Sequence, residues 1–227
     1  MNEHARAASR SPSASDAAWA AAVDEIVVAG RRMDRHGWVP ATAGNISRRL
    51  PDGRIAITRS GCHKGFLTTR DVIEVDLDSR PAVVGDRPSA ETHLHTDLYR
   101  RLLPDGAVIH GHSVAATVLS MHEPDRQPTD GSWNAIEFSG YELLKAFEGQ
   151  DTHQASLRLP IYDNDQDIVR LAELISPKLA DCPMGYLIRG HGVYVWGRTM
   201  DVALARLEGL EFLLACVLER RKLDSRS

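Results

Sequence analysis

The chain has 227 residues, 43% of them apolar and 26% charged, with a formal net charge of −4. That length suits one domain able to bury a substantial core. The charge gives no electrostatic reason for a nucleic-acid or anionic-membrane partner, and no apolar run reaches the roughly 20 residues that crossing a bilayer takes.

The opening "MNEHARAASRSPSASDAA" is polar and lacks the continuous apolar stretch of a secretory signal, so residues 1–15 read as a mobile leader and 16–227 as a single domain. Its arginines and serines are those of a transit peptide, whereas Glu3 and Asp16 are not. Cysteines 62, 182 and 216 are odd in number and show no CxxC spacing. That suits a reducing compartment, with cytoplasm as the expectation.

Apolar residues recur at helical spacing through "DAAWAAAVDEIVVAGRRMDRHG", with Asp16 placed to cap the start and Gly37 to end it. "NISRRL" and "RIAITRS" read as strands across the turn "PDG", and "TRDVIEVDL" holds a third strand. Ser89 is the expected cap of a helix over "SAETHLHTDLYRRLL", which Pro104 and Asp105-Gly106 stop. "AVIHGHS" follows as a strand running into the helical "VAATVLSMH". "EPDRQPTDG" reads as a loop, "AIEFSG" as a short strand and "YELLKAF" as a short helix. "SLRLPIYD" is a strand and "DIVRLAELISPKLA" a helix broken near Pro177. "MGYLIRGHGVYVWG" predicts a hairpin turned at Gly190-His191-Gly192, and a long helix closes the chain from Thr199 to about Arg221. The tally predicts α/β layers around a mixed, largely antiparallel sheet.

Alternate residues of a strand share a face, so His110 and His112 project together while Gly111 points away. The pair reads either as two ordinary histidines or as two metal ligands at a strand end. His191 sits between glycines at a tight turn. Brought to the other two, it would make a three-histidine site with one position open, the pattern of a catalytic zinc. Glu91 and Glu142 each open a helix, where an acidic residue complements the helix dipole; either is also a candidate for proton work. The turns "TAGNIS" and "TRSGCHKG" offer amide, hydroxyl and lysine groups that can hold a phosphate, and they serve equally well as ordinary loops.

The ordered set "TAGNIS", "SG", "PSAETHLH", "AVIHGHS" and "IRGHGVYVWG" resembles the class II aldolase and epimerase superfamily over residues 16 to 221. The resemblance implies a three-layer α/β/α fold, one zinc ion per subunit on His110, His112 and His191, and a homotetramer with its sites near subunit interfaces. It makes Glu91 a metal-site carboxylate or catalytic residue, where some members carry cysteine nearby. "ITRSGCHKG", "FSGYELLKAF" and "RGHGVYVWGRT" bring the chain nearest to the sugar-phosphate dehydratase branch. That likeness implies dehydration of 5-methylthioribulose 1-phosphate to a 2,3-diketo phosphate in methionine salvage, with Glu142 as acid/base. Backbone amides near Gly44-Asn45 and Ser60-Gly61, with Thr42, Ser89 and Lys64, would hold the phosphate. The alternative within the superfamily is a sugar-phosphate aldolase or epimerase using the same zinc chemistry. The segment "MHEPDRQPTDGSWNA" is longer than the family pattern.

Overall fold

The computed structural model describes residues 13–123, 134–182 and 184–225. The long segment "MHEPDRQPTDGSWNA" therefore falls mostly outside the described residues, as do residues 1–12 of the expected leader.

Helix α1 spans Ala14–Arg35, two residues earlier than its apolar pattern suggests. Ser13 is the cap and Asp16 the third helical residue, its carboxylate bonded back to the Ser13 amide. This reciprocal pair satisfies two amide groups that the first turn leaves unpaired, so Asp16 supports the cap and does not provide it. Gly37, at φ +72, lets the chain turn away beyond the helix.

Strands β1 (Asn45–Arg49), β2 (Ile55–Thr58) and β3 (Val72–Val75) form an antiparallel meander. Helix α2 (Thr92–Arg101) leads to β4 (Gly106–Gly111) and helix α3 (Val114–His122). Strand β5 (Ala135–Ser139) is followed by a 3-10 turn over Glu142–Ala146, where the sequence suggests a short α-helix. Then come β6 (Ser156–Tyr162), α4 (Ile168–Ile175) and a 3-10 turn beginning at Ser176. Pro177 marks that change, since its ring cannot donate within the helix. The hairpin β7 (Tyr186–Ile188) and β8 (Gly192–Gly197) precedes α5 (Met200–Asp224).

The eight strands form one sheet in the order β3-β2-β1-β4-β8-β7-β6-β5. Only β6 and β7 run parallel, through the crossover that carries α4. Two apolar clusters cover the two faces. Residues of α1, α3 and α5 pack on one with Ile46, Ile109, Val193 and Val195. Residues of α2 and α4 pack on the other with Val108, Tyr194 and Trp196. The three-layer α/β/α arrangement follows from strands that are apolar on both faces. Strand β4 lies between β1 and β8, so whatever its end carries rests on a fully paired, buried base.

Candidate metal centre

His110 is the penultimate residue of β4 and is fully buried; His112 lies just beyond the strand. The backbone amide of His112 donates to the Trp38 carbonyl at 2.6 Å, pinning the chain where it leaves the sheet. His191 sits in the β7–β8 turn, its amide bonded to the Ile188 carbonyl at 3.0 Å. The Thr117 hydroxyl of α3 donates to the His191 carbonyl at 3.2 Å. A strand end and a hairpin turn 79 residues further along thus meet, and the ligand atoms of the three histidines lie within 4.8 Å of one another. Gly192 makes the approach possible: a Cβ there would stand 2.1 Å from the Gly111 carbonyl oxygen and 3.0 Å from the His110 ring. Gly44 does the same on the other side, where φ is +76 and a Cβ would meet the His110 carbonyl oxygen at 2.7 Å.

The His110 ring is oriented by the backbone. Its Nδ1–H donates to the Val193 carbonyl at 3.0 Å, leaving the Nε2 lone pair aimed inward. That buried Nε2 has no hydrogen-bond partner. An orphaned, oriented imidazole nitrogen among two further imidazoles fits a divalent ion, and the carbonyl contact is the usual outer support of a metal-binding histidine. Burial lowers the His110 pKa well below its ordinary value. It brings His112 down to about 4, with help from His191. Both rings are therefore held neutral, the form that binds metal.

Glu91 stands among these rings. Its Oε1 lies 2.8 Å from His191 Nε2, and its Oε2 is 3.3 Å from His110 Nε2. Asn45 Nδ2 and the Tyr194 hydroxyl donate to Oε2 at 2.7 and 3.0 Å. Burial works against the carboxylate, but the nearby imidazoles and the hydrogen bonds from His191 and Asn45 outweigh it, keeping the pKa well below the usual range. Glu91 takes the N-cap position of α2 but makes no side-chain capping bond, so its carboxylate is free to face the histidines. Ser89 is not the cap expected from sequence. Its Oγ accepts from Asn45 Nδ2 at 3.0 Å, and its carbonyl accepts the Thr92 hydroxyl at 2.7 Å.

The small-residue turns come together beside this cluster. Lys64 is buried, and its Nζ donates to the carbonyls of Thr42 and Cys62 at 2.6 and 2.7 Å, tying the two turns to each other. Ser60 and Gly61 are exposed at the second turn, where the Ser60 amide bonds the Arg87 carbonyl at 2.8 Å and Gly61 has φ +78. Glu142 is elsewhere: its side chain is 74% exposed, with Oε1 2.6 Å from Lys145 Nζ and Oε2 3.9 Å from His153 Nδ1. Within one chain, the structure brings Glu91, Asn45 and Ser89 to the histidines and does not bring Glu142 there.

Three features escape the sequence reading. Tyr194 and His95 pack beneath the centre, Tyr194 from the apolar strand β8 and His95 from the polar helix α2, where nothing in the sequence marks it as buried. Asn164, Asp165 and Gln166, from the polar "YDNDQD" loop after β6, line a cavity of about 450 Å³ with Glu91, His112 and His191.

Residues 24–218 match the family described as Class II Aldolase and Adducin N-terminal domain, and the chain belongs to that family. Among solved structures it is similar to L-fuculose-1-phosphate aldolase from Thermus thermophilus, with TM-score 0.70, 23% identity, and coverage of 91% of this chain and 98% of that one. Its curated relatives are more specific. The chain is 67% identical to the methylthioribulose-1-phosphate dehydratase of Gluconacetobacter diazotrophicus, over 90% of this chain and 96% of the relative. It is 63% identical to the enzyme of that name from Gluconobacter oxydans, over 90% of this chain and 95% of the relative. No described helix is long and apolar enough to cross a membrane.

Proposed function

We propose that this chain is a zinc-dependent hydro-lyase that converts 5-methylthioribulose 1-phosphate to 5-methylthio-2,3-dioxopentyl phosphate in methionine salvage. The observation that carries the reading is the 67% identity to a relative of that activity, spanning 90% of a chain whose three histidines gather at one point. The aldolase alternative shares the metal centre, but its support is a likeness of fold at 23% identity.

The difficult step is loss of the C3 proton, which is acidic only if the charge left on the neighbouring carbonyl oxygen is stabilised. A zinc ion held by His110, His112 and His191 would supply Lewis-acid stabilisation of the charge left behind. The chain's own residues supply the rest. Glu91, held as an anion by Asn45, Tyr194 and His191, fixes the histidines' surroundings and is the second candidate for proton transfer. Glu142 is the proposed acid/base that takes the C3 proton or protonates the departing C4 hydroxyl, after which the enol ketonises. Its support is its place in the dehydratase-like segment "FSGYELLKAF"; as it lies away from the histidines of its own chain, acting there requires it to give up Lys145 and to face the centre of a neighbouring subunit of the proposed homotetramer.

Thr42, Gly44, Asn45, Ser60, Gly61 and Ser89 are proposed to hold the phosphate. Lys64 is the cation that braces those turns from beneath; burial lowers its pKa. A homotetramer is proposed as well. Val114, Val118 and Met121 stand exposed along one side of α3, beginning two residues after His112, a surface suited to burial against another subunit. Cytoplasm is the proposed compartment, on the cysteine usage.

The test is incubation of the zinc-loaded protein with 5-methylthioribulose 1-phosphate, followed by mass spectrometry. A product lighter by one water supports the reading. Cleavage of the C3–C4 bond, giving dihydroxyacetone phosphate and methylthioacetaldehyde, would instead identify an aldolase.

A further inference from the structure

Asn45 and Ser47 occupy alternate positions of β1, so both side chains leave the same face of the sheet. Glu91, His95 and Tyr99 recur every four residues on α2, which packs on that face. Two strand residues advance about 6.7 Å and four helix residues about 6 Å, so the two series stay in step. They interleave as a single file: Glu91, Asn45, His95, Ser47, Tyr99. Asn45 Nδ2 lies 2.7 Å from Glu91 Oε2, and Asn45 Oδ1 meets His95 Nε2. His95 Nδ1 is 2.7 Å from Ser47 Oγ, which is 2.7 Å from the Tyr99 hydroxyl. His95 and Ser47 are 0% exposed, Tyr99 1% and Asn45 2%, so water cannot substitute for a missing partner.

One end sets the direction of every bond in the file. Glu91 is a carboxylate and can only accept, so Asn45 must present its NH₂ there; the same NH₂ also donates to Ser89 Oγ at 3.0 Å. The Asn45 oxygen is then left facing His95 and requires a donor. A neutral imidazole has one N–H, which must be at Nε2, making Nδ1 the acceptor of the Ser47 hydroxyl. Ser47, having given its hydrogen to His95, in turn accepts from the Tyr99 hydroxyl, which ends the file. Burial pushes the His95 pKa down to about 3, in keeping with a ring that carries one proton.

We propose that His95 is a positioning residue: its Nε2–H tautomer locks the Asn45 amide so that the NH₂ reaches both Glu91 at the metal centre and Ser89 at the phosphate turn. Asn45 pairs with His110 across the β1–β4 ladder, so the lock acts beside a metal ligand without touching the ion. The inference rests on reading Glu91 as the metal-site carboxylate. It also explains a fully buried histidine that the reaction itself does not use.

The test uses the full chain labelled with ¹⁵N-histidine, its long-range ¹H–¹⁵N spectrum recorded at pH 7 and pH 5.5. His95 is assigned from the signals lost in His95→Gln. The expected pattern is a neutral ring protonated at Nε2 at both pH values. A ring protonated at Nδ1, or at both nitrogens at pH 7, overturns the proposal.

A second arm compares His95→Phe and His95→Gln, with inorganic phosphate as a competitive probe and metal content measured. His95→Phe leaves the Asn45 oxygen without a donor and is expected to weaken phosphate binding roughly tenfold. The glutamine amide, still a donor, is expected to recover part of that loss. Folded His95→Phe with wild-type phosphate affinity and metal content overturns the proposal. If His95→Phe fails to fold, the tautomer in the unaltered chain decides. Unaltered protein that takes up no divalent ion while His95 reads as Nε2–H supports the lock and counts against the functional reading instead.

Discussion

Tyr194 and His110 face each other across the β4–β8 ladder, their rings stacked with centroids 4.0 Å apart and planes within 12°. The same tyrosine donates its hydroxyl to Glu91 at 3.0 Å. One residue thus packs against a histidine of the candidate metal centre and holds the carboxylate beside it. Tyr194→Phe keeps the ring and deletes only the hydrogen bond. Its expected effect is a loss of metal affinity of about tenfold with the fold retained, measured by competition with a chelating dye. Tyr194→Ala also removes the stacked ring and is expected to lose stability as well, by about 3–5 kcal/mol in urea unfolding.

The metal centre sits at the end of a sheet whose two apolar clusters are complete without it. Chelation is therefore expected to abolish turnover while leaving circular dichroism unchanged, and added zinc to restore activity. Coupled loss of structure on chelation would mark the site as a structural one. His112→Ala and His191→Ala, each removing one ligand that is only part-buried, are expected to fold and to fail in metal retention.

Glu91 and Glu142 can be separated by the same substitution. Glu91→Gln loses a charge that three donors hold, so zinc occupancy is expected to fall, or KM to rise, with the helix intact. Glu142→Gln alters an exposed side chain bonded to Lys145; zinc content and stability are expected to stay at wild-type values. If Glu142 moves the proton, its turnover falls by about 10²–10⁴-fold. Wild-type turnover in Glu142→Gln would transfer that role to Glu91.

Gly192 offers a steric test. A methyl group there would press on the Gly111 carbonyl, which is backbone and cannot swing aside. Gly192→Ala is expected to cost about 1–3 kcal/mol and to displace His110 and His191, read as a lower unfolding midpoint together with reduced zinc uptake.

Acid sensitivity follows from His95. Burial lowers its pKa from 6.5 to about 3, so between those values the unfolded chain binds a proton that the folded chain refuses. Stability therefore falls as pH drops from about 6.5 towards 3, with this one group contributing a slope of about 1.4 kcal/mol per pH unit. Unfolding of the metal-free protein across that range, compared with His95→Gln, measures it; equal slopes in the two proteins would remove His95 as the cause.

The sequence by itself determined most of the elements and singled out the three histidines that the fold gathers at one point. Strict alternation put His110 and His112 on one side of β4, and glycines on both sides of His191 marked a turn with a purpose. These are local signals, carried within a few residues. It could not show that α2 begins at Thr92, because a serine before a helical pattern looks like a cap whether or not its oxygen has been claimed by Asn45. Nor could it show that Glu91 has near neighbours in Asn45, Tyr194 and His191 while Glu142 has Lys145, since both glutamates open a turn in the same way. The lock at His95 depends on two periodicities, every second residue on β1 and every fourth on α2, meeting across segments 50 residues apart in the chain. Only tertiary packing sets that register, because it is the burial of both faces together that brings the strand and the helix side by side.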